Sequence, residues 1–311
     1  MAKNNECVMS VNGLTKVFKC GFFNPEYTVA AKDISFDIEK GKIISLIGES
    51  GSGKTTVGKL ILKLINPTEG KITYRGKDIS VIDDKDELKN YYRNVQGIFQ
   101  DPFATFNPLY RVDRVFDMIF DSFDLGYEDK ERAIKKALCD VNLNPDRTLG
   151  KFPHQLSGGQ LQRLLIARAL LMDVDILIAD ELISMLDAST RIGVLNLLIE
   201  TCKKNGMSVI FITHDLNLGY YISDKSLIMY KGRLVERGDT KKIYENATHP
   251  YTQMLFEAVP EIGERWDPDE EFLPEQVVND VREFYNKNKD KGFVEIEENH
   301  SVLFSDEELN K

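Results

Sequence analysis

The sequence predicts an α/β fold, and three observations carry the prediction. Lys42–Ile47 (KIISLI), Val174–Ala179 (VDILIA) and Ser208–Thr213 (SVIFIT) are short, largely apolar runs of the kind that form strands buried on both faces. Residues 54–65 and Ala188–Lys204, following the first and second runs, place apolar residues three or four apart, as helices do. A glycine-rich turn joins the first run to its helix, which is the opening of a βαβ unit. Strands alternating with helices argue for a parallel core sheet.

The remaining elements follow in chain order. MSVNGLTKVFK at 9–19 and Tyr27–Ile38 mix β-branched and aromatic residues and read as an antiparallel N-terminal part ending at Lys40-Gly41. Arg111–Phe123, Lys130–Val141 and Gln160–Leu171 read as helices, a helical block between the first and second core strands, set at about 101–172. Ser226–Tyr230 and Arg233–Glu236 read as a hairpin around Lys231-Gly232, where the α/β core closes. Beyond it, Glu275–Asn288 has a helical apolar face, and Phe293–Glu297 and Ser301–Phe304 read as strands of a small α+β extension.

Charge supports a division of the 311 residues near Pro260. Residues 261–311 hold sixteen acids and six bases, whereas the first 260 carry thirty-four of each. The expected units are therefore 1–260 and an acidic extension, 261–311, whose charge reads as a solvated face. No basic footprint suits a nucleic-acid partner. No apolar run is long enough to span a bilayer, and the N-terminus lacks the apolar stretch of a secretory signal. Cys7, Cys20, Cys139 and Cys202 have no CxxC spacing, which argues against zinc, iron–sulfur and disulfide frameworks.

Three motifs carry chemistry. Gly48-Glu49-Ser50-Gly51-Ser52-Gly53-Lys54-Thr55 fits GxxxxGK[ST] between a strand and a helix. Its glycines let backbone N–H groups converge on an anion at a helix N-terminus. Lys54 would reach the β- and γ-phosphates of a nucleotide, and the Thr55 hydroxyl would ligate Mg²⁺. A chance match in a chain of this length is roughly one in a hundred. Ile176–Ala179 then delivers Asp180 and Glu181 to the sheet's C-terminal edge, a magnesium ligand followed by a water-polarising base. An apolar strand ending in two acids is common and is weak evidence alone. Leu156-Ser157-Gly158-Gly159-Gln160 opens a helix with a capping serine, another anion-receptive N-terminus. In isolation it would be an ordinary helix cap.

The order of Gly48–Thr55, Gln100, Leu156–Gln160, Asp180-Glu181, Asp187 and His214 resembles the ATP-binding subunits of ABC transporters over residues 9 to about 260. The resemblance implies a P-loop NTPase core of the ABC ATPase type. It implies that Gly48, Ser50, Gly51, Ser52, Gly53, Lys54, Thr55 and Thr56 bind ATP. Phe18, with Tyr27 as a second candidate, would stack on adenine. Thr55, Gln100 and Asp180 would hold Mg²⁺, and Glu181, His214 and Gln100 would serve hydrolysis. Leu156, Ser157, Gly158, Gly159 and Gln160 would reach the ATP of a partner chain, with Asp187 in the loop between the two.

FQDPFATFNP (99–108), the insert CGFFNPEY (20–27) and THPYTQMLFEAVP (248–260) narrow the resemblance to oligopeptide/dipeptide and nickel importers. A second ATPase chain, identical or paralogous, two transmembrane permeases and an extracytoplasmic solute-binding protein are the implied partners, at the cytoplasmic face of the membrane. Importers of other small solutes, and a soluble ABC protein outside transport, remain alternatives. His249 and Tyr251 count as family markers, and His154 and His300 as surface or capping residues. The chain departs from the family at Leu182, where proline is usual, and at Met185, where alanine is usual. It lacks the subfamily's C-terminal cysteine cluster, so no iron–sulfur centre is expected. Residues 261–311 read as departing from the subfamily's usual ending.

Overall fold

The computed structural model describes residues 6–21, 26–184, 186–258, 274–288 and 292–306. Strands β1 (Cys7–Cys20), β2 (Glu26–Glu39), β3 (Ile43–Ile47), β4 (Glu69–Tyr74), β5 (Lys77–Asp78) and β6 (Val95–Ile98) precede the helical block. Strands β7 (Ile176–Asp180), β8 (Ser208–Thr213), β9 (Lys225–Tyr230), β10 (Arg233–Asp239), β11 (Phe293–Glu297) and β12 (His300–Leu303) follow it. They form an antiparallel four-stranded sheet, β2-β1-β4-β5, and an eight-stranded sheet, β11-β12-β10-β9-β3-β8-β7-β6. From β6 to β9 the larger sheet is parallel, and beyond β9 it is antiparallel.

Every residue of β3, β7 and β8 is buried, as their continuous apolar runs require. The sheets pack their apolar faces together, β1 and β2 giving Leu14, Ile34 and Ile38 and the core sheet giving Ile44, Leu46, Ile178 and Ile210. The helical block buries Phe116, Leu138 and nearly one whole side of Gly158–Met172 against the opposite face. Among the described residues no helix is long and apolar enough to cross a membrane.

Two expectations change here. The first helix spans only Lys54–Ile61, short of the predicted Ile65. Lys63 turns the chain with φ 51, and its ammonium bonds the carbonyls of Ile79 and Ile82 at 2.6 and 2.7 Å. The segment between that helix and the helical block, where the sequence predicts no element, is not bare connection either. It adds β4 and β5 to the antiparallel sheet and β6 to the parallel one.

The acidic end of the chain builds onto the core. Strand β12 pairs with β10, Glu236 opposite Val302, and the helix Pro274–Lys287 brings Val277, Val281 and Tyr285 into a cluster with Ile47, Val235 and Tyr251. The boundary at Pro260 and most of WDPDEEFLPE lie outside the described residues.

His300 is fully buried, which corrects its reading as a surface or capping residue. Its Nε2 lies 2.7 Å from Glu236 and its Nδ1 3.1 Å from Glu297. Burial disfavours the imidazolium, but the two carboxylates outweigh it and raise the pKa. The folded state thus binds the proton more tightly. That stabilisation is full below the unfolded value of about 6.5 and is lost as pH rises through the raised folded value. The wild-type melting temperature should therefore fall between mildly acidic and alkaline pH, and His300→Gln should flatten that fall. A wild-type melting temperature that climbs over that range would refute the assignment.

Candidate nucleotide-binding site

The site lies where parallel strands end together. Ile47 of β3 pairs with Thr213 of β8, and Asp180 of β7 with Ile212 of β8. The residues that follow these strands are consequently neighbours at one sheet edge: the loop from Gly48, His214, and the Asp180-Glu181 pair. Strand β6 ends opposite Ala179, which places Gln100 two residues beyond the same edge, exposed. This is where open α/β sheets place ligands.

The glycine loop wraps the start of Lys54–Ile61. Gly48 has φ 159, and a Cβ there would stand 2.1 Å from the Met229 carbonyl oxygen. Gly53 has φ 105, and its Cβ would meet the Ala30 carbonyl oxygen at 2.0 Å. Neither position has room for a side chain, so the loop's path depends on these two residues. The Lys54 ammonium donates to the carbonyls of Gly48 and Glu49 at 2.7 and 2.6 Å. Burial lowers its pKa, while Glu181, Asp180 and Glu49 oppose that effect. A desolvated cation at a loop of converging amides is suited to a polyphosphate. Thr55 and Thr56 open the helix.

Asp180 is buried, and burial raises its pKa, opposed chiefly by a hydrogen bond from Thr55. One carboxylate and one hydroxyl are hard oxygen donors appropriate to Mg²⁺, which takes few protein ligands and completes its shell with water and phosphate. Among the described residues no group of three or more His, Cys, Asp or Glu could hold a metal alone.

Glu181 continues the β7–β8 ladder, its N–H bonding the Ile212 carbonyl at 2.9 Å. Its φ of 47 is left-handed, rare for a side chain of this size. The turn leaves Asp180 facing the loop helix and directs the Glu181 carboxylate to His214 Nδ1, 3.1 Å away. A small cleft beside them is lined by Ser184, Arg191 and Thr213. The buried Leu182 presents its carbonyl to Gln162 Nε2. Met185 lies outside the described residues.

The third motif forms a helix cap. Ser157 Oγ accepts the Gln160 N–H at 3.3 Å, and Gln160 Oε1 accepts the Ser157 N–H at 2.9 Å, a reciprocal capping box. Gly158 and Gly159 allow close approach of Leu186 and Thr190, where a Cβ on Gly159 would stand 2.7 Å from Thr190. Leu156 is buried. Asp187 caps the helix Ala188–Asn205 by accepting the Thr190 N–H at 3.0 Å. This motif lines neither the cleft beside Glu181 nor the one beside the loop.

Phe18 is half-buried on β1 with the Lys16 ammonium 5.2 Å from its ring centre, while Tyr27 is exposed on β2. His154 is exposed and stacks on Phe152. His249 and Tyr251, family markers by their sequence, are both fully buried, and the Tyr251 hydroxyl reaches the glycine loop at Glu49. No motif signals that contact, because it joins residues 202 positions apart.

Comparison with known proteins agrees with this geometry. A family model described as ABC transporter matches residues 31–184, and one described as oligopeptide/dipeptide transporter, C-terminal region, matches 235–286. The second match runs past 260, so the expectation that the acidic end departs from the subfamily holds at most beyond 286. The oligopeptide transport ATP-binding protein OppF of Bacillus subtilis is 42% identical over 79% of this chain and 81% of its own length. That of Streptococcus pyogenes serotype M1 is 41% identical over 91% of each. Among solved structures, a dimeric ATP-binding cassette in a post-hydrolysis state bound to ADP and Pi is 28% identical with a TM-score of 0.65, covering 75% of this chain and 98% of that one. With the loop, the acid pair and the capped helix in one framework, the chain belongs to the ATP-binding subunits of the ABC transporters, in the branch that carries the oligopeptide/dipeptide C-terminal region.

Proposed function

We propose that this chain binds Mg²⁺ and ATP at Gly48–Thr56 and hydrolyses the ATP to drive a membrane importer of oligopeptides. The observation that carries the catalytic reading is the Glu181–His214 contact beside the Thr55–Asp180 pair. Water attacks the γ-phosphorus and gives ADP and phosphate. Glu181 orients that water and accepts its proton, and His214, hydrogen-bonded to Glu181, stands where it can sense the γ-phosphate. Thr55 and Asp180, with Gln100 beyond the edge of β6, would hold Mg²⁺, which neutralises phosphate charge. Lys54 and the loop amides bind the β- and γ-phosphates.

The helix N-terminus at Ser157–Gly159 lines neither the cleft beside the glycine loop nor the one beside Glu181, which supports a head-to-tail dimer where each ATP is covered by the partner's motif. Closure on ATP and release on hydrolysis would move two permeases through Gln100 and its neighbours. A solute-binding protein would deliver the peptide on the outer side. The match over 235–286 and the relatives' printed names favour peptides over other small solutes. Reconstitution of this chain with its partner ATPase and permeases tests the reading by ATP-dependent peptide uptake. Uptake of nickel or sugars without uptake of peptides would replace the substrate.

Phe18→Ala should weaken ATP binding by ~1–3 kcal/mol, the value of one lost base stack, and leave discrimination against GTP as modest as before. Titration with ATP and GTP measures both. If Tyr27→Ala weakens binding and Phe18→Ala does not, the stacking residue is Tyr27.

A further inference from the structure

The Tyr251 hydroxyl lies 3.0 Å from the backbone N–H of Glu49 and accepts its hydrogen bond. Glu49 also receives the Lys54 ammonium on its carbonyl at 2.6 Å. One residue of the phosphate loop is therefore held on both sides, by Tyr251 at its nitrogen and by Lys54 at its oxygen. Tyr251 is fully buried and its ring lies against Tyr230, centroids 4.3 Å apart. A cleft of ≈ 380 Å³ beside it is lined by Glu49–Ser52 on one side and Met254, Leu255 and Val277 on the other.

Tyr251 is itself held from the C-terminal end of the chain, by two routes. In the first, His249 Nδ1 accepts the Tyr251 N–H at 3.2 Å, and His249 Nε2 lies 3.0 Å from the Tyr285 hydroxyl. Burial drives the His249 pKa down to about 3, so the ring is neutral. With Nδ1 accepting, its single proton sits on Nε2 and is donated to Tyr285. In the second, the buried Glu236 carboxylate accepts the N–H groups of Thr248 and His249 at 3.0 and 3.1 Å and meets His300 of β12 at 2.7 Å. The helix Pro274–Lys287 and strand β12 both converge on residues 248–251.

We infer that Tyr251 is a positioning residue for the phosphate loop, and that the helix Pro274–Lys287 sets its orientation through His249. The inference rests on the nucleotide-binding reading of Gly48–Thr55. It gives the acidic end, whose charge reads from the sequence as a solvated face, a part in shaping the nucleotide loop. Fixing the Glu49 peptide restricts the direction of the amides that follow it and the place of Lys54, so the benefit falls on phosphate affinity and not on the chemical step.

The test uses the full-length chain, a fluorescent methylanthraniloyl-ATP titration, and steady-state hydrolysis in the assembled transporter. Tyr251→Phe keeps the ring and removes one acceptor. It is expected to raise Kd and KM for ATP by ~3- to 10-fold, the worth of one hydrogen bond, with kcat within about twofold and the nucleotide-free melting temperature lowered by no more than about 2–4 °C. Tyr285→Phe is expected to raise Kd in the same direction by a smaller factor. An unchanged Kd for Tyr251→Phe overturns the inference. So does a fall in kcat together with a larger drop in the nucleotide-free melting temperature, which would assign Tyr251 to packing. An unchanged Kd for Tyr285→Phe overturns the part given to the C-terminal helix. If wild type and Lys54→Ala bind the probe equally, the nucleotide reading fails, and the inference with it.

Discussion

Glu181→Gln is expected to keep ATP bound while slowing hydrolysis by a factor of ~10² or more. Binding survives because Lys54, Thr55 and Asp180 are untouched, and the amide is the same size as the carboxylate. The left-handed turn at residue 181 is held by the Ile212 carbonyl and by Ser184 Oγ, which donates to the Glu181 carbonyl at 3.0 Å, and both bonds use only backbone atoms of residue 181. What disappears is a base able to take a proton from water. A dimer that forms on ATP and comes apart on hydrolysis would then accumulate in its closed form. Single-turnover hydrolysis and gel filtration with ATP measure the two effects. Near-normal turnover, assayed with the partner chain present, would remove Glu181 from the role.

The second large effect is expected from Gly53→Ala. A left-handed conformation disfavours any side chain by ~1–2 kcal/mol, and here the added methyl group also meets the Ala30 carbonyl at 2.0 Å and Met229 Cε at 2.7 Å. The methionine end can shift, but the backbone of β2 cannot without moving its sheet. Strain and displaced loop together should weaken ATP by ~3 kcal/mol or more, on the order of 10² in Kd. Gly51→Ala is the control. Its φ is 83, yet a methyl group there would meet no atom within 4 Å, so only the conformational penalty remains. Isothermal titration should rank Gly53→Ala well below Gly51→Ala. Equal losses would mean that contact with β2 does not shape the loop.

The legible part of this molecule is the part written locally. Gly48–Thr55, Asp180-Glu181 and Leu156–Gln160 each do their work within a few consecutive residues, and the apolar runs of β3, β7 and β8 announce their burial without reference to partners. Strand β6 is not legible, because Val95–Ile98 is four residues with a glutamine and a glycine, and only its pairing with β7 makes it a strand. The roles of His300 and Tyr251 are hidden for the same reason. Each meets a partner far away in sequence, Glu236 and Glu49, and although Tyr251 stands in a family marker, nothing local to either residue says which distant group it will touch.

The register of the core sheet bears on how the chain is made. Strand β3 is completed by residue 47, yet its neighbours are β8 and β9, which begin at Ser208 and Lys225. The strand that leads into the phosphate loop is thus among the first synthesised and among the last to be flanked. Contacts of such sequence separation carry a large loop-closure entropy and form slowly. For most of translation KIISLI is an apolar segment without its sheet, and its protection until β8 and β9 leave the ribosome falls to whatever covers it in the meantime.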